Sequence, residues 1–449
     1  GEWKKWGPYI SERQWGTVRE DYSDSGMAWE SVTHDMARSK AYRWGEDGLG
    51  GICDENQKIC FSWAFWNTKD PIIKERLFGL SGVEGNHGED VKELYYYLEN
   101  TPSHSYMKML YKYPQKEFPY ADLVETNRRK SKQEREYELL DTGIFDQDEY
   151  FDIFLEYAKA DADDMLLKIT VHNRGAEEAP LVIMPTLWFR NTWSSRKEPI
   201  KPAMKQTGDS RVHIRHHEMG SYLVYFEEEP DEFAFCNNET NRKKLYGAPN
   251  SAKYTKDGIN DYLITGKKTI SSRKSGTKCA AIYRKTVPAN GSVTLKVRFT
   301  NLPTKEPFQD FDPVFDQRVN DCNEFYQQVQ GEIPSKDHEQ IQRQAYAGML
   351  WSKQFYYYNV KEWLDGDEGR AKPPAGRKKG RNSTWTHLDN FDIISMPDKW
   401  EYPWYAAWDL AFHCVPLARV DPDFAKGQLL LFLDDRYLHP NGQIPAYEW

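Results

Sequence analysis

Short runs of β-branched and aromatic residues follow one another between residues 59 and 299, and turn residues bound each run. The runs are 59–66, 150–158, 165–173, 179–189, 221–226 and 292–299. Runs of this length and spacing are typical of antiparallel strands that pack as two sheets. The sequence therefore predicts an N-terminal antiparallel β-sandwich over residues 1–305.

The pattern changes after residue 305, and Pro303 and Pro307 mark the boundary. Residues 310–326 and 337–356 have apolar residues at helical spacing, in the second segment at Ile341, Ala345, Met349 and Phe355. We therefore expect a helical linker over 306–335 and a second, mainly helical domain over 336–449.

An aromatic segment at residues 400–412 leads into a short helical pattern from Pro403, and that pattern carries a single acid, Asp409. Pro403 suits the first turn of a helix, and Trp404 and Trp408 would then share one helix face. Apolar neighbours would desolvate the Asp409 carboxyl and raise its pKa, as a general acid requires. The alternative is an amphipathic helix whose acid is only paired or solvated.

Three stretches resemble glycoside hydrolase family 63. They are WEYPWYAAWD at 400–409, NGQIPAYEW at 441–449 and WGPYISERQWGTVREDY at 6–22. The resemblance extends over the whole chain and is greatest to the bacterial glucosidase and mannosylglycerate-hydrolase-like members of that family.

The resemblance implies an inverting α-glycosidase in which a β-sandwich precedes an (α/α)6 toroid. It implies that Asp409 is the general acid and that the general base is a Glu beyond residue 449. The chain would then hold only the first part of the ring. A partial ring leaves apolar helix faces uncovered, so we expect a second polypeptide segment to complete it.

The remaining candidate residues would bind the terminal sugar. The indoles would stack on the sugar ring, and the polar groups of the 441–449 stretch would hydrogen-bond its hydroxyls. The predicted substrate-binding residues are Trp400, Trp404, Trp408, Gln443, Tyr447 and Glu448. For Glu448 an alternative role stays open, as the second carboxylate of the reaction.

Composition limits the class of ligand. Aromatic residues make up 14% of the chain, which favours a carbohydrate partner, and the net charge of −9 argues against nucleic acid. Six cysteines without paired spacing predict buried thiols rather than a zinc site, although Cys53 and Cys60 are close enough to close a hairpin. We expect no cofactor.

No apolar run approaches the roughly 20 residues of a membrane span, and no secretory signal is recognised at the start. We therefore expect a cytoplasmic protein. Besides the enzyme, one other interpretation remains: a glycan-binding or scaffold fragment that has no catalysis because it lacks the general base.

Overall fold

The strands predicted between residues 59 and 299 form large antiparallel sheets, and that prediction is confirmed. The structure, a computed structural model, describes residues 1–13, 32–195, 200–331, 333–366, 372–396, 399 and 405–445. Its strands are β1 (Trp6–Gly7), β2 (Leu49–Asp54), β3 (Ile59–Trp66), β4 (Gly79–Leu80), β5 (Asp90–Val91), β6 (Leu94–Asn100), β7 (Tyr106–Pro114), β8 (Tyr150–Asp161), β9 (Asp164–Asn173), β10 (Ala179–Phe189), β11 (Ala203–Gly208), β12 (Arg211–His216), β13 (Gly220–Phe226), β14 (Glu232–Cys236), β15 (Ser275–Gly276), β16 (Lys278–Val287), β17 (Ser292–Thr300), β18 (Lys353–Asn359) and β19 (Asp389–Ser395). Its helices are α1 (His34–Ala37), α2 (Tyr120–Arg129), α3 (Arg242–Tyr246), α4 (Gly258–Thr265), α5 (Phe311–Gln330), α6 (Lys336–Trp351), α7 (Val360–Asp365), α8 (Ala407–Val420) and α9 (Pro422–Leu431).

Two sheets contain most of the strands. One has the order β1-β2-β3-β10-β16-β14, and the other has the order β15-β11-β12-β13-β17-β9-β8-β7-β6. Neighbouring strands run antiparallel; β3 and β10, for example, pair Trp66 with Val182 and Ile59 with Phe189. Antiparallel neighbours need only short connections, which agrees with the turn residues that separate the predicted runs.

One hydrophobic core lies between the two sheets. Along β9, every second residue from Met165 to Val171 points into it, as the two-residue period of a strand requires. The facing sheet contributes large rings, among them the fully buried Trp63. Because burying one large apolar side chain contributes roughly 1.5–3 kcal/mol, this shared core holds the two sheets face to face.

Helices α5 and α6 pack against the nine-stranded sheet. Phe315 and Tyr326 of α5 share a hydrophobic cluster with Leu166, which lies on the face of β9 that points away from the shared core. At the end of α6, Trp351 stacks on Tyr97 of β6 with ring centroids 5.1 Å apart. The first helices after the sheets therefore belong to the same packed body as the strands.

The helix predicted over 337–356 is too long. It ends at Trp351, and Phe355 lies instead in β18, which pairs with β19. The four consecutive aromatic residues 355–358 favour a strand, and β19 supplies the hydrogen-bonding partner. Ile341, one of the apolar positions that indicated this helix, is exposed.

A second core joins the hairpin β18–β19 to helices α8 and α9. Leu410 and Leu417 of α8 pack there with Tyr358 of β18. Trp44, from the start of the chain, belongs to the same core, and its ring centroid lies 5.0 Å from that of Tyr357. The (α/α)6 toroid itself stays a prediction.

Helix α8 differs from the prediction at its start. It begins at Ala407, after the extended residue Ala406, whereas the predicted first turn contained Pro403, which lies outside the described residues. It also passes through Pro416 and ends at Val420. Pro416 removes the N–H that would reach the carbonyl of residue 412. Because Phe412 lies on the exposed side of the helix, water can replace that hydrogen bond.

The cysteines are buried free thiols, as predicted, including Cys53 and Cys60, which face each other in the register of β2 and β3. None of the described helices combines the length and the hydrophobicity that crossing a membrane requires.

Asp421, between α8 and α9, ties three parts of the chain together. Its carboxylate accepts hydrogen bonds from Lys4 Nζ at 2.6 Å and Lys353 Nζ at 2.7 Å, and it caps α9 through the Phe424 N–H. Burial would raise the pKa of Asp421, but the two ammonium groups hold it below its usual value. The N-terminal segment, β18 and the helix pair therefore meet at one buried ion cluster.

We predict that Asp421→Asn lowers the free energy of unfolding by about 3–5 kcal/mol at pH 7, because it leaves the buried Lys353 ammonium without its counterion. Urea denaturation followed by tryptophan fluorescence measures this change. The matched control is Asp423→Asn, an exposed acid in the first turn of α9, where the loss should stay below about 1 kcal/mol.

The sign of the pH dependence follows from the lowered pKa. Asp421 stabilises the fold above the pKa of an unfolded aspartate, and this contribution is lost as the pH falls through the folded value. The difference between wild type and Asp421→Asn should therefore shrink in acid. Equal losses in the two variants at pH 7 would contradict the assigned role of the cluster.

Candidate active site

Three of the predicted site residues, Asp409, Trp408 and Gln443, are described by the structure. The others, Trp400, Trp404, Tyr447 and Glu448, lie outside the described residues. The predicted pairing of Trp404 with Trp408 on one helix face therefore stays a prediction.

Asp409 is in the first turn of α8. The helix has no side-chain cap at Ala406, so Asp409 supplies the negative charge that the positive end of the helix dipole favours. Its side chain is partly exposed. The expected enclosure of this carboxyl by an indole is not found in the described part of the chain, since Trp408 is 66% exposed.

Helix α8 is apolar on two sides. One side, with Leu410 and Leu417, packs into the second core. The other side, with Trp408, Phe412 and Val415, is 66%, 67% and 74% exposed at these positions. We call these three residues the open face of α8. Their spacing of four and three residues is that of a helix surface that packs against another helix.

His413 lies one turn after Asp409 and was not singled out from the sequence. Its Nδ1 is 3.0 Å from the Ser395 hydroxyl at the end of β19. The Ser395 N–H in turn donates a hydrogen bond to Gln428 Oε1. Burial lowers the pKa of His413, and the Asp409 carboxylate partly opposes that shift. A neutral imidazole therefore lies within electrostatic reach of the candidate acid. The i, i+4 spacing was the available signal.

The stretch after residue 437 reaches the start of α8, as the predicted site requires. The Ala407 N–H donates to the Pro445 carbonyl at 3.0 Å. Gln443 is exposed, and it follows Asn441 and Gly442 in a turn where Gly442 has a φ of 86°. On the other side of this stretch, His387 Nε2 lies 2.6 Å from the Leu438 carbonyl oxygen.

Two cavities and one acidic cluster in the described part of the chain lie elsewhere. The cavities measure about 380 Å³ and about 20 Å³, and Asp409 lines neither. In the acidic cluster, Asp90, Glu136 and Glu138 surround Lys92 Nζ at 3.1, 2.9 and 2.6 Å. The Lys92 ammonium thus already supplies the positive charge that a metal ion would bring.

A comparison with curated proteins finds a similar yeast protein. This chain is 43% identical over 495 residues to the uncharacterized protein YMR196W of Saccharomyces cerevisiae, and the match covers 100% of this chain and 46% of that protein. The chain thus spans about half the length of this curated relative. A scan against protein-family models finds no match.

Among the solved structures with a weak likeness to this chain are three carbohydrate-active enzymes. A proposed kojibiose phosphorylase from the human microbiome is 10% identical, with a TM-score of 0.23, over 72% of this chain and 34% of that one. A proposed aldose 1-epimerase of Escherichia coli K12 is 8% identical, with a TM-score of 0.22, over 45% and 67% of the two chains. A family GH92 α-mannosidase of Bacteroides thetaiotaomicron is 9% identical, with a TM-score of 0.23, over 47% and 28%. The overlap is too small to carry a conclusion about fold or activity.

We predict that Asp409→Asn lowers the pKa of His413 further, because the substitution removes the carboxylate that raises it. A pH titration of the imidazole resonances by NMR, assigned through their loss in His413→Gln, measures the shift. Asp423→Asn on the neighbouring helix should leave the His413 titration unchanged. An unchanged titration in Asp409→Asn would show that the two side chains do not interact.

Proposed function

We propose that this chain carries the general-acid side of the active site of an inverting α-glycosidase that hydrolyses a terminal α-glucosyl bond of an oligosaccharide or small glucoside. The observation that carries the proposal is the position of Asp409. A partly exposed carboxyl lies at the start of α8, beside an uncovered indole and next to the 441–445 stretch.

In this reaction the Asp409 carboxyl donates its proton to the glycosidic oxygen as the bond from that oxygen to the sugar breaks. A carboxylate from another segment takes a proton from water, and the water oxygen bonds to the anomeric carbon from the opposite face. The two carboxyls of an inverting enzyme stand about 6.5–9.5 Å apart to leave room for that water. Glu448 is the alternative candidate for the base within this chain.

The sugar needs apolar faces and hydrogen-bonding groups around Asp409. Trp408 offers an indole with one open side, and we propose that Trp400 and Trp404 wall the same sugar. Indoles suit this role because they combine a large apolar face with an N–H donor. Gln443, Tyr447 and Glu448 would then bind the hydroxyls.

A general acid at Asp409 must be shielded from water, and the described residues do not shield it. A helix N-terminus stabilises the carboxylate, whereas a proton donor must stay protonated near neutral pH. An apolar segment on the open face of α8 would desolvate Asp409 and raise its pKa. We propose that this segment is a further helical polypeptide that completes an (α/α)6 toroid begun by residues 336–449. The greater length of the yeast relative leaves room for one.

We predict that Asp409→Asn abolishes turnover with little loss of sugar binding. Loss of a general acid costs on the order of 10²–10⁴-fold in rate, while the amide keeps the shape of the site. Glucose release from kojibiose, nigerose, trehalose and glucosylglycerate measures turnover, and calorimetry measures binding. The assay uses the whole assembly, including any polypeptide that co-purifies.

The control for this assay is Asp423→Asn, which should keep wild-type turnover. Near-normal turnover in Asp409→Asn would refute the assignment of the general acid. Sugar binding by the wild type without glucose release from any of the four substrates would instead support a glycan-binding protein that lacks catalysis.

A separate prediction concerns the open face of α8. Co-expression with the part of YMR196W outside the match should give a complex, and Trp408→Ser with Phe412→Ser should weaken it by at least about tenfold, because buried aromatic residues dominate interface energies. Sedimentation of the purified mixtures measures the complex. Leu140→Ser, which removes another exposed apolar side chain, should leave it intact. If Leu140→Ser weakened the complex as much as the Trp408→Ser, Phe412→Ser double variant, the open face would not be the docking surface.

A further inference from the structure

A small polar cavity lies on the outer face of the six-stranded sheet, away from the candidate active site. Its volume is about 20 Å³. Ser62 of β3, Thr186 of β10 and Lys278 of β16 line its floor. Their chain neighbours point into the shared core, so strand alternation turns these polar side chains outward. Loops from several parts of the chain cover the cavity.

The lining contains three acids and three cations, namely Glu46, Asp47, Glu75, Arg76, Lys256 and Lys278. Two pairs are complete. Arg76 Nε donates to both oxygens of Asp47 at 3.2 and 3.0 Å, and Lys278 Nζ contacts Glu75 directly. Burial would raise the pKa of Glu75, but Lys278 and Arg76 hold it below its usual value.

The third acid, Glu46, and the third cation, Lys256, each have a different hydrogen-bond partner. Glu46 is 1% exposed and accepts a hydrogen bond from Asn238 Nδ2 at 2.8 Å. The Lys256 ammonium donates to the Lys40 carbonyl at 2.8 Å and lies 3.8 Å from the ring centroid of Tyr42. Burial raises the pKa of Glu46 to about 7 and lowers the pKa of Lys256.

One acceptor in the cavity has no donor. Asn238 is 1% exposed, and its amide nitrogen donates to Glu46 and to the Phe189 carbonyl. Its Oδ1 is buried and finds no hydrogen-bond partner among the residues that the structure describes. A buried amide oxygen of this kind costs about 1–3 kcal/mol unless a donor satisfies it. A cavity of more than about 10–15 Å³ with polar walls holds a water molecule.

The size of the cavity selects the ligand. A volume of about 20 Å³ admits one molecule of the size of water. Such a molecule would donate one hydrogen to Asn238 Oδ1 and have its other hydrogen bonds left for Glu46.

We propose that this cavity is a hydrated proton-binding site, in which a single water molecule bridges Asn238 Oδ1 and the Glu46 carboxyl, and Glu46 exchanges its proton with solvent. When Glu46 loses the proton to solvent, a carboxylate remains in the cavity. The charged groups facing it are Asp47 on its own segment, Lys256, Lys278, Glu75, Arg76 and Arg190.

The segment that carries Glu46 connects the sheet to the second core. Trp44 packs in that core, and Arg43 forms an ion pair with Glu362 of α7. Charging Glu46 costs free energy chiefly because burial strips the carboxylate of its hydration, a cost that Lys256 and the Asn238 hydrogen bond only partly offset; repulsion from Asp47 adds a smaller part. The proton on Glu46 therefore stabilises the connection between the sheet and the helices.

The test is the stability of the full chain as a function of pH, in wild type and in Glu46→Gln, which keeps an oxygen to accept from Asn238. A raised carboxyl pKa means that the folded protein binds about one more proton than the unfolded chain between about pH 5 and 7. Wild-type stability should fall as the pH rises through that window. Glu46→Gln should lack this fall and exceed the wild type most clearly above pH 7.

The matched control is Glu75→Gln, in the same cavity but with a lowered pKa. Its effect should have the opposite sign, a loss of stability at pH 7 that shrinks in acid. The proposal is overturned if the profile of Glu46→Gln runs parallel to that of the wild type, whether shifted or not.

A second measurement does not need Glu46→Gln to fold. In wild type with ¹³C-labelled glutamate, one carboxyl resonance should titrate near pH 7. Asn238→Leu should move that titration to higher pH, because it removes the hydrogen bond that stabilises the carboxylate. Titration of every glutamate in the ordinary range, or an unchanged titration in Asn238→Leu, would refute the site.

Discussion

The ion cluster of Asp421 with Lys4 and Lys353 decides how the helical part of the chain sits on the sheets. Asp421 both ends α8 and caps α9, so the direction of each helix depends on one carboxylate. Lys353 begins β18, directly after α6, and Lys4 belongs to the segment that precedes β1. Three segments far apart in the sequence thus meet at one buried charge, which is strongly destabilising to leave unpaired. The position of Asp409, three turns earlier on α8, follows from this contact.

The structure separates what local sequence determines from what tertiary contacts determine. Strands β3 and β10 coincide with their predicted runs because alternation and turn residues act within a few positions. The end of α6 and the start of α8 were missed, because β19 and the 441–445 stretch fix them from elsewhere in the chain. The spacing of apolar residues within a helix carries no information about partners that come from distant parts of the chain.

The candidate site was predictable to a similar degree. The sequence pointed to Asp409 and to its proximity to the 441–445 stretch, and the contact of Ala407 with Pro445 agrees with this. It did not point to His413, whose relevance depends on Ser395 across the hairpin. It also overestimated the enclosure of Asp409, because apolar neighbours in sequence alternate between the two sides of a helix.

Three buried or partly buried acids show what a proton donor at Asp409 requires. Burial raises the pKa of both Glu46 and Asp421. On Asp421 two directly bonded ammonium groups reverse that effect, whereas on Glu46 the Lys256 charge and the Asn238 hydrogen bond only reduce it. Asp409 has neither surrounding: its neighbours are a helix N-terminus, a neutral imidazole and an open apolar face. The helix end favours the carboxylate, so whatever covers the open face must be apolar rather than cationic if Asp409 is to keep its proton. Trp408, Phe412 and Val415 already present the surface that an apolar cover would contact.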